Sequence, residues 1–354
     1  PFFRSEENPG MHRRQFLSAA AAVASASTLG FEGIARADEA AKPAGKHVIR
    51  MATLAPKGST WMKVFDAWNN SLKQKTQGAL EIQFYAGGAA GDERDMVRKM
   101  HAGQIDAAAI TTSGLWQLGK QTTRCLVLQA PGVCYNYARI DAVRTKMRSE
   151  FDGYFDADGF KFLGWGDAGQ GRIFSNKPIT TPTDMQGLQM WAWKDDPTWQ
   201  SVLTAVGGVN SVPVGLPEVY PMLNTGKINA FPGTSIAAIA FQWYQKAQFV
   251  TQEPRGIVIG AMVVKKDKFK SLPGPLQEAL LETGEKAQQA LAKAIRNDDE
   301  TAFKTIVGKG VKPISVAAKQ GEWDAVLKKA RQSLVNLYTP ELLKRVEDIA
   351  AAAG

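Results

Sequence analysis

From residue 47 onward, apolar and polar positions alternate between two periods, one of 2 and one of 3.6. Residues 47–54 (HVIRMATL) read as a buried strand. Ala55-Pro56-Lys57-Gly58 carries turn chemistry, and Ser59 is a good N-cap for a helix over 60–74. Trp61, Val64, Phe65, Trp68 and Leu72 would share one face of that helix. Leu80, Ile82 and Phe84 alternate with Glu81, Gln83 and Tyr85, as in a half-buried strand ended by Gly87-Gly88. A helix over 92–101 and a strand over 105–110 complete a β-α-β-α-β run, which calls for a parallel sheet with helices on both faces.

A second series follows. Strands are expected at 160–165, 172–175, 188–193, 210–214 and 228–230, with helices at 197–206 and 216–224. Residues 257–264 read as a strand returning to the first series. Residues 275–307 form one long helix, longer than an average element and able to bridge two bodies. Two terminal helices are expected at 317–337 and 340–352. The pattern predicts an α/β chain of two lobes: 46–168 plus 258–296 as lobe I, and 169–257 plus 297–354 as lobe II. Such folds place a ligand cleft at the strand carboxyl ends, between lobes that close by hinge motion.

Composition changes this picture little. The chain has 354 residues, 44% hydrophobic and 22% charged, enough for two packed cores. Its net charge of +9 is spread along the chain, which reads as solvated surface with a bias towards anionic ligands rather than nucleic acid. Residues 1–37 read as an upstream extension followed by a signal peptide. Met11 precedes Arg13-Arg14-Gln15-Phe16-Leu17, then comes an Ala/Ser/Val stretch over 18–30 and a cleavage site after Ala37. This reads as a twin-arginine export signal, and the expected location is the periplasm. No later stretch reaches about 18 apolar residues, so no membrane span is expected. Cys125 and Cys134 flank Pro131-Gly132 and could form a disulfide in an oxidising compartment, or stay as two buried thiols. His47 and His101 have no Cys or His neighbours at metal-ligand spacing, so neither metal nor cofactor is expected.

Catalysis has no visible seat. Asp195-Asp196 precedes Pro197 and reads as a helix cap rather than a carboxylate pair. Gly169-Gln170-Gly171 is too short for a phosphate loop, and His101 has no identifiable partner. A binding protein is expected, not an enzyme.

Four stretches carry a resemblance that spans roughly residues 48–340. They are 52–59 (ATLAPKGS); Tyr85-Ala86-Gly87-Gly88 with Gly91-Asp92-Glu93-Arg94 and 101–106; Lys177-Pro178-Ile179 with 181–188 (TPTDMQGL); and Val212-Pro213-Val214 with 218–229 (EVYPMLNTGKIN). In this order and spacing the chain resembles the DctP family, the extracytoplasmic solute receptors of TRAP transporters. The resemblance implies a two-lobed periplasmic binding protein that captures a small organic acid and delivers it to a membrane permease.

The family's usual carboxylate clamp is an arginine in a Lys-hydrophobic-Arg triplet after the Pro-x-Asp-x-x-Gly-Leu stretch. Here the triplet is Gln189-Met190-Trp191, so Trp191 stands where the arginine is expected. A second family arginine matches Arg172. A third contact, an asparagine, is replaced at the aligned position by Gly233. The resemblance thus implies one positive contact from Arg172. Trp165, Trp191 and Trp193, with Trp243 as a further candidate, would offer stacking faces to an apolar or aromatic ligand. Ser59, Glu93 and Thr112 would line the first lobe's side. The alternative is a receptor-like accessory protein that holds an apolar or aromatic ligand for an efflux or lipid-trafficking system.

Overall fold

The computed structural model describes residues 45–354. The twin-arginine motif and the cleavage site lie outside these residues.

Among the described residues the strands are ten: β1 (His47–Thr53), β2 (Leu80–Tyr85), β3 (Ala107–Thr111), β4 (Phe160–Ser175), β5 (Gln189–Trp193), β6 (Asn210–Val214), β7 (Ala230–Thr234), β8 (Phe249–Thr251), β9 (Gly256–Lys265) and β10 (Lys312–Ile314). Their order is β2-β1-β3-β9-β4-β7-β5-β6, with β8 pairing both β4 and β10. The expected parallel sheet is in fact mixed. The pairs β1–β2, β1–β3, β5–β6 and β5–β7 are parallel, but β9 runs antiparallel to both β3 and β4.

One crossing between the lobes is β4. Its first part pairs with β9 from Phe160 to Gly171, and its last part pairs with β7 from Gly171 to Ser175. What reads as two strands interrupted by glycines is one 16-residue strand with register shifts at 162/164 and 167/169. Gly169 has φ +119 in the second shift, and the Asp299 carboxylate lies 2.7 Å from where a Cβ would sit. Only glycine lets the strand bend there while Asp299 accepts the Gln170 N–H at 2.9 Å.

Packing follows the sequence periodicity. Helix Thr60–Lys75 starts at Ser59, whose hydroxyl accepts the Met62 N–H, and buries Met62, Phe65, Trp68 and Leu72. Each such side chain contributes roughly 1.5–3 kcal/mol by leaving water. Helix Gly274–Gly308 spans 35 residues; Leu280, Leu291 and Ile295 pack in the first-lobe core, and Ile306 packs in the second. Trp68 donates its indole N–H to Thr283 of this helix at 3.0 Å.

The chain's end departs from the expected division. Helix Gln320–Ser333 packs on the second-lobe helix Pro197–Val206. The last helix, Pro340–Ala351, instead puts Leu342, Leu343, Val346 and Ala350 into the first-lobe core beside Ile140 and Val143. Residues 297–354 therefore do not all pack with lobe II: the apolar face of the last helix lies on helix Tyr137–Lys146. The cysteines are also not bridged. Cys125 is buried in the 3-10 segment Thr122–Gln129, Cys134 is buried farther along, and both are free thiols.

No helix among the described residues is long and apolar enough to cross a membrane.

Candidate functional site

A cavity of about 290 Å³ opens between the lobes, beside the crossing strands β4 and β9. It has room for a small organic molecule. The first lobe contributes the carboxyl ends of β1 and β3 and the start of helix Glu93–His101. The second lobe contributes β5, the turn into helix Pro197–Val206, and the start of β9.

Contacts join the lobes on both sides of the cavity. Asp92 caps helix Glu93–His101 and also accepts the indole N–H of Trp193 from the other lobe at 2.9 Å. Burial pushes the Asp92 carboxyl up, opposed by this hydrogen bond. Next to it, Arg94 and Asp195 form an exposed ion pair at 2.8 Å. On the far side, Leu327 of helix Gln320–Ser333 packs over Gly132, and Arg331 donates to the Pro131 carbonyl at 3.3 Å.

The site residues expected from the sequence divide clearly. Arg172, Trp191, Trp193, Glu93, Thr112 and Gly233 all line the cavity. Trp165 does not. It is 2% exposed and packs in the first-lobe core against Phe151, Phe155 and Phe162, with centroids 4.9–6.0 Å away. Its neighbours Gly166 and Asp167 line the cavity, while the Trp165 ring turns into the aromatic cluster of the first-lobe core. Ser59 also stays out of the cavity, because its hydroxyl is used as the helix cap.

The tryptophans form an aromatic wall. Trp191 stacks obliquely on Trp193 at 5.8 Å and edge-on to Trp243 at 5.2 Å, and its indole N–H is held by the Val214 carbonyl at 3.1 Å. Trp243 lines the cavity as well, joined by Trp61, Phe65 and Trp199.

Arg172 is 7% exposed. One amino group donates to the carbonyls of Thr251 and Gln252, the other donates to Gln170 Oε1 at 3.2 Å, and Phe303 lies 4.0 Å below the guanidinium. Its Nε is buried without a partner, and no carboxylate pairs with it among the described residues. Burial pulls the guanidinium below its ordinary value, opposed by Asp299 and Glu253. A buried cation without an ion-pair partner is costly, and an anionic ligand would relieve the cost.

The acids around the cavity have separate tasks. Asp167 is tied to Arg144 at 2.6 Å and to Arg296 at 2.8 Å, and Arg296 also grips Asp141. Asp196 caps helix Pro197–Val206 through the Thr198 N–H at 2.9 Å, and burial pushes it up to about 6. Glu93 is 2% exposed and accepts the N–H and the hydroxyl of Thr111, each at 2.8 Å. Burial outweighs these bonds and pushes it up to about 8, so at neutral pH it holds a proton.

This has a measurable consequence. The folded protein binds the Glu93 proton between the ordinary carboxylate range and pH about 8, while the unfolded chain does not. Stability should therefore fall as pH rises through that window, by up to about 1.4 kcal/mol per unit from this one group. Glu93→Gln should flatten the slope in urea unfolding measured from pH 5 to 8.5; an unchanged slope would show that Glu93 is not the titrating group.

Sequence reasoning missed Arg255, Asp196 and Trp199 as cavity residues. Asp196 was legible only as a cap. Arg255 sits in the connection before β9, where no local pattern marks it. Among the described residues, no group of three His, Cys, Asp or Glu could hold a metal ion.

Known proteins share this architecture. The profile of the DctP family, described as bacterial extracellular solute-binding protein, family 7, matches residues 51–336. The 2,3-diketo-L-gulonate-binding periplasmic protein YiaO of Escherichia coli K12 is 21% identical over 286 residues, covering 80% of this chain and 86% of its own. The sugar acid binding protein DctPAm of Advenella mimigardefordensis, solved with galactonate, superposes with a TM-score of 0.81 at 17% identity, covering 88% of this chain and 99% of its own. A TRAP periplasmic solute binding protein of Citrobacter koseri, solved with D-glucuronate, gives 0.77 at 22% identity over 85% and 99%. With its lobes, its inter-lobe cavity and a family profile covering most of its length, the chain belongs to the DctP family of bacterial extracellular solute-binding proteins.

Proposed function

We propose that this TRAP-type solute receptor captures a small organic acid whose carboxylate contacts Arg172 and whose body lies against Trp191 and Trp193. The observation that carries the reading is the buried Arg172 guanidinium, which lines the cavity with an unpartnered Nε and no carboxylate mate among the described residues. A guanidinium so placed favours a carboxylate. The relatives support the class, since YiaO is named for a sugar acid and the two solved neighbours hold galactonate and D-glucuronate. In this chain Trp191 takes the place of the family's clamping arginine, so the ligand body it suits is more apolar or aromatic than a sugar acid.

The lobes, 46–168 with 258–296 and 169–257, close about β4 and β9, and the closed form is handed to a membrane permease. Export follows the twin-arginine route with cleavage after Ala37, which leaves the receptor in the periplasm. The reading includes no covalent step and no cofactor. The accessory-protein alternative is not favoured, because a neutral apolar ligand would leave the Arg172 charge buried and uncompensated.

A thermal-shift panel tests the reading. Sugar acids and aromatic carboxylates are set against neutral apolar compounds of equal size. Ligand at 100 times its Kd adds about 2.7 kcal/mol of stability, enough for a clear rise in Tm. At least one carboxylate should raise Tm. A panel in which only neutral compounds do so would contradict the proposal.

A further inference from the structure

The cavity holds a second arginine that the reading above does not use. Arg255 lines the same cavity as Arg172. Its Nη1 donates to Gln320 Oε1 at 2.8 Å, and Trp323 lies 5.3 Å from the guanidinium carbon. Its Nε and Nη2 are buried and have no hydrogen-bond partner. These two atoms form one edge of the guanidinium fork, the edge that can take both oxygens of a carboxylate side-on.

The two arginines are held by the same short stretch of chain. Arg172 donates to the carbonyls of Thr251 and Gln252, at the start of the connection that ends in Arg255. The Arg255 backbone N–H donates to the Gly171 carbonyl at 2.8 Å, and Gly171 pairs with Gly256. Each arginine is thus one residue from a position in the same β4–β9 pair.

Nearby carboxylates do not neutralise them. Among the described residues, neither arginine forms an ion pair. Glu253 is spent on the Ser315 hydroxyl and the Val316 N–H. Asp299 takes the Gln170 and Ile236 N–H groups, and Asp324 takes the Gln320 amide. Burial lowers the pKa of both guanidinium groups, outweighing the opposing pull of Asp299 and Glu253 on Arg172 and of Glu253 and Asp324 on Arg255. Two desolvated cations that line one cavity without ion-pair partners are unfavourable unless an anion joins them.

We infer that Arg255 is a second anion-contacting residue, and that the bound solute carries two oxyanion groups at one end, one for each arginine. This rests on the organic-acid reading of the cavity and narrows it to a dianion with an apolar or aromatic body.

The test uses matched probes on the full chain by calorimetry: 3-phenylpropionate against benzylmalonate, and benzoate against phthalate. The members of each pair share a phenyl ring and differ by one carboxylate. At least one dianion should bind tenfold or more tighter than its monoanion. Arg255→Gln keeps a donor near Gln320 and a flat group on Trp323, and should reduce that advantage to within about twofold. Arg172→Ala should weaken both members of a pair. Melting of the ligand-free variants reports any folding defect separately, and Arg255→Lys should recover part of the dianion preference. The inference is overturned if no dianion outbinds its monoanion, or if Arg255→Gln weakens both members equally or neither. Organic acids that bind and depend on Arg172 but not on Arg255 would leave the function standing and remove only this inference. If no anion binds in either panel, both fall.

Discussion

Arg172→Ala should weaken binding of the carboxylate solute at least about thirtyfold, a loss of about 2–5 kcal/mol, which is the usual cost of removing one partner of a desolvated, hydrogen-bonded charge pair. The size follows from burial. Arg172 is 7% exposed, so water cannot replace the lost contact as it would at a rim. The fold should survive, because β4 is held on both sides by main-chain ladders to β7 and β9. Arg172→Lys should recover less than half of the lost free energy. An ammonium keeps the charge but not the planar fork, and it cannot span Gln170, Thr251 and Gln252 at once. Titration calorimetry with any carboxylate found in the thermal-shift panel reads both variants. Affinity unchanged in Arg172→Ala would place the carboxylate elsewhere.

The largest expected effect on stability is at Asp167. Its carboxylate is 1% exposed and bridges Arg144 and Arg296, tying β4 to helix Tyr137–Lys146 and to the long helix. Burial alone would push it up, but the two guanidinium groups hold it below the ordinary carboxylate range. Asp167→Ala leaves Arg144 buried with no anion at hand and should cost about 3–5 kcal/mol. Tm should fall by roughly 6–15 °C. The sign of the pH dependence is fixed as well. A depressed carboxylate stabilises the fold above its unfolded pKa and loses that contribution as pH falls through the folded value. The acid limb of the wild-type stability curve should therefore be steeper than that of the variant. A cost under about 1 kcal/mol would mean that the network does not hold the crossing strand.

How far the sequence foretold these features depends on local parity and capping. The alternation of Leu80, Ile82 and Phe84 marks β2 because one face of that strand is buried. Ser59 and Asp196 mark helix starts because a side-chain cap is a local event. By contrast β8 and β10 are three residues long, too short to show a period, and they exist only because β4 and each other offer edges. The glycines of β4 look like breaks in one dimension; in the fold they are the bulges that let one strand serve two lobes.

The site shows the same split. Resemblance locates Arg172, Trp191 and Gly233; Trp193, two residues on, shares the face of Trp191, and Asp92 takes its indole N–H. Trp165 was misplaced because choosing between two faces of a strand requires knowing which face the helix Arg148–Ala157 covers. Arg255 could not be found, since its place beside Arg172 is made by pairing between β4 and β9, separated by more than eighty residues of chain.

The central claim is that the inter-lobe cavity receives an organic anion at its arginine end. Its most direct test is denaturing extraction of the protein purified from its native host, followed by accurate mass of any released small molecule. The account expects a carboxylic acid, close to one equivalent per chain, and a loss of that molecule in Arg172→Ala. A neutral lipid or a cationic molecule, retained equally by Arg172→Ala, would contradict it.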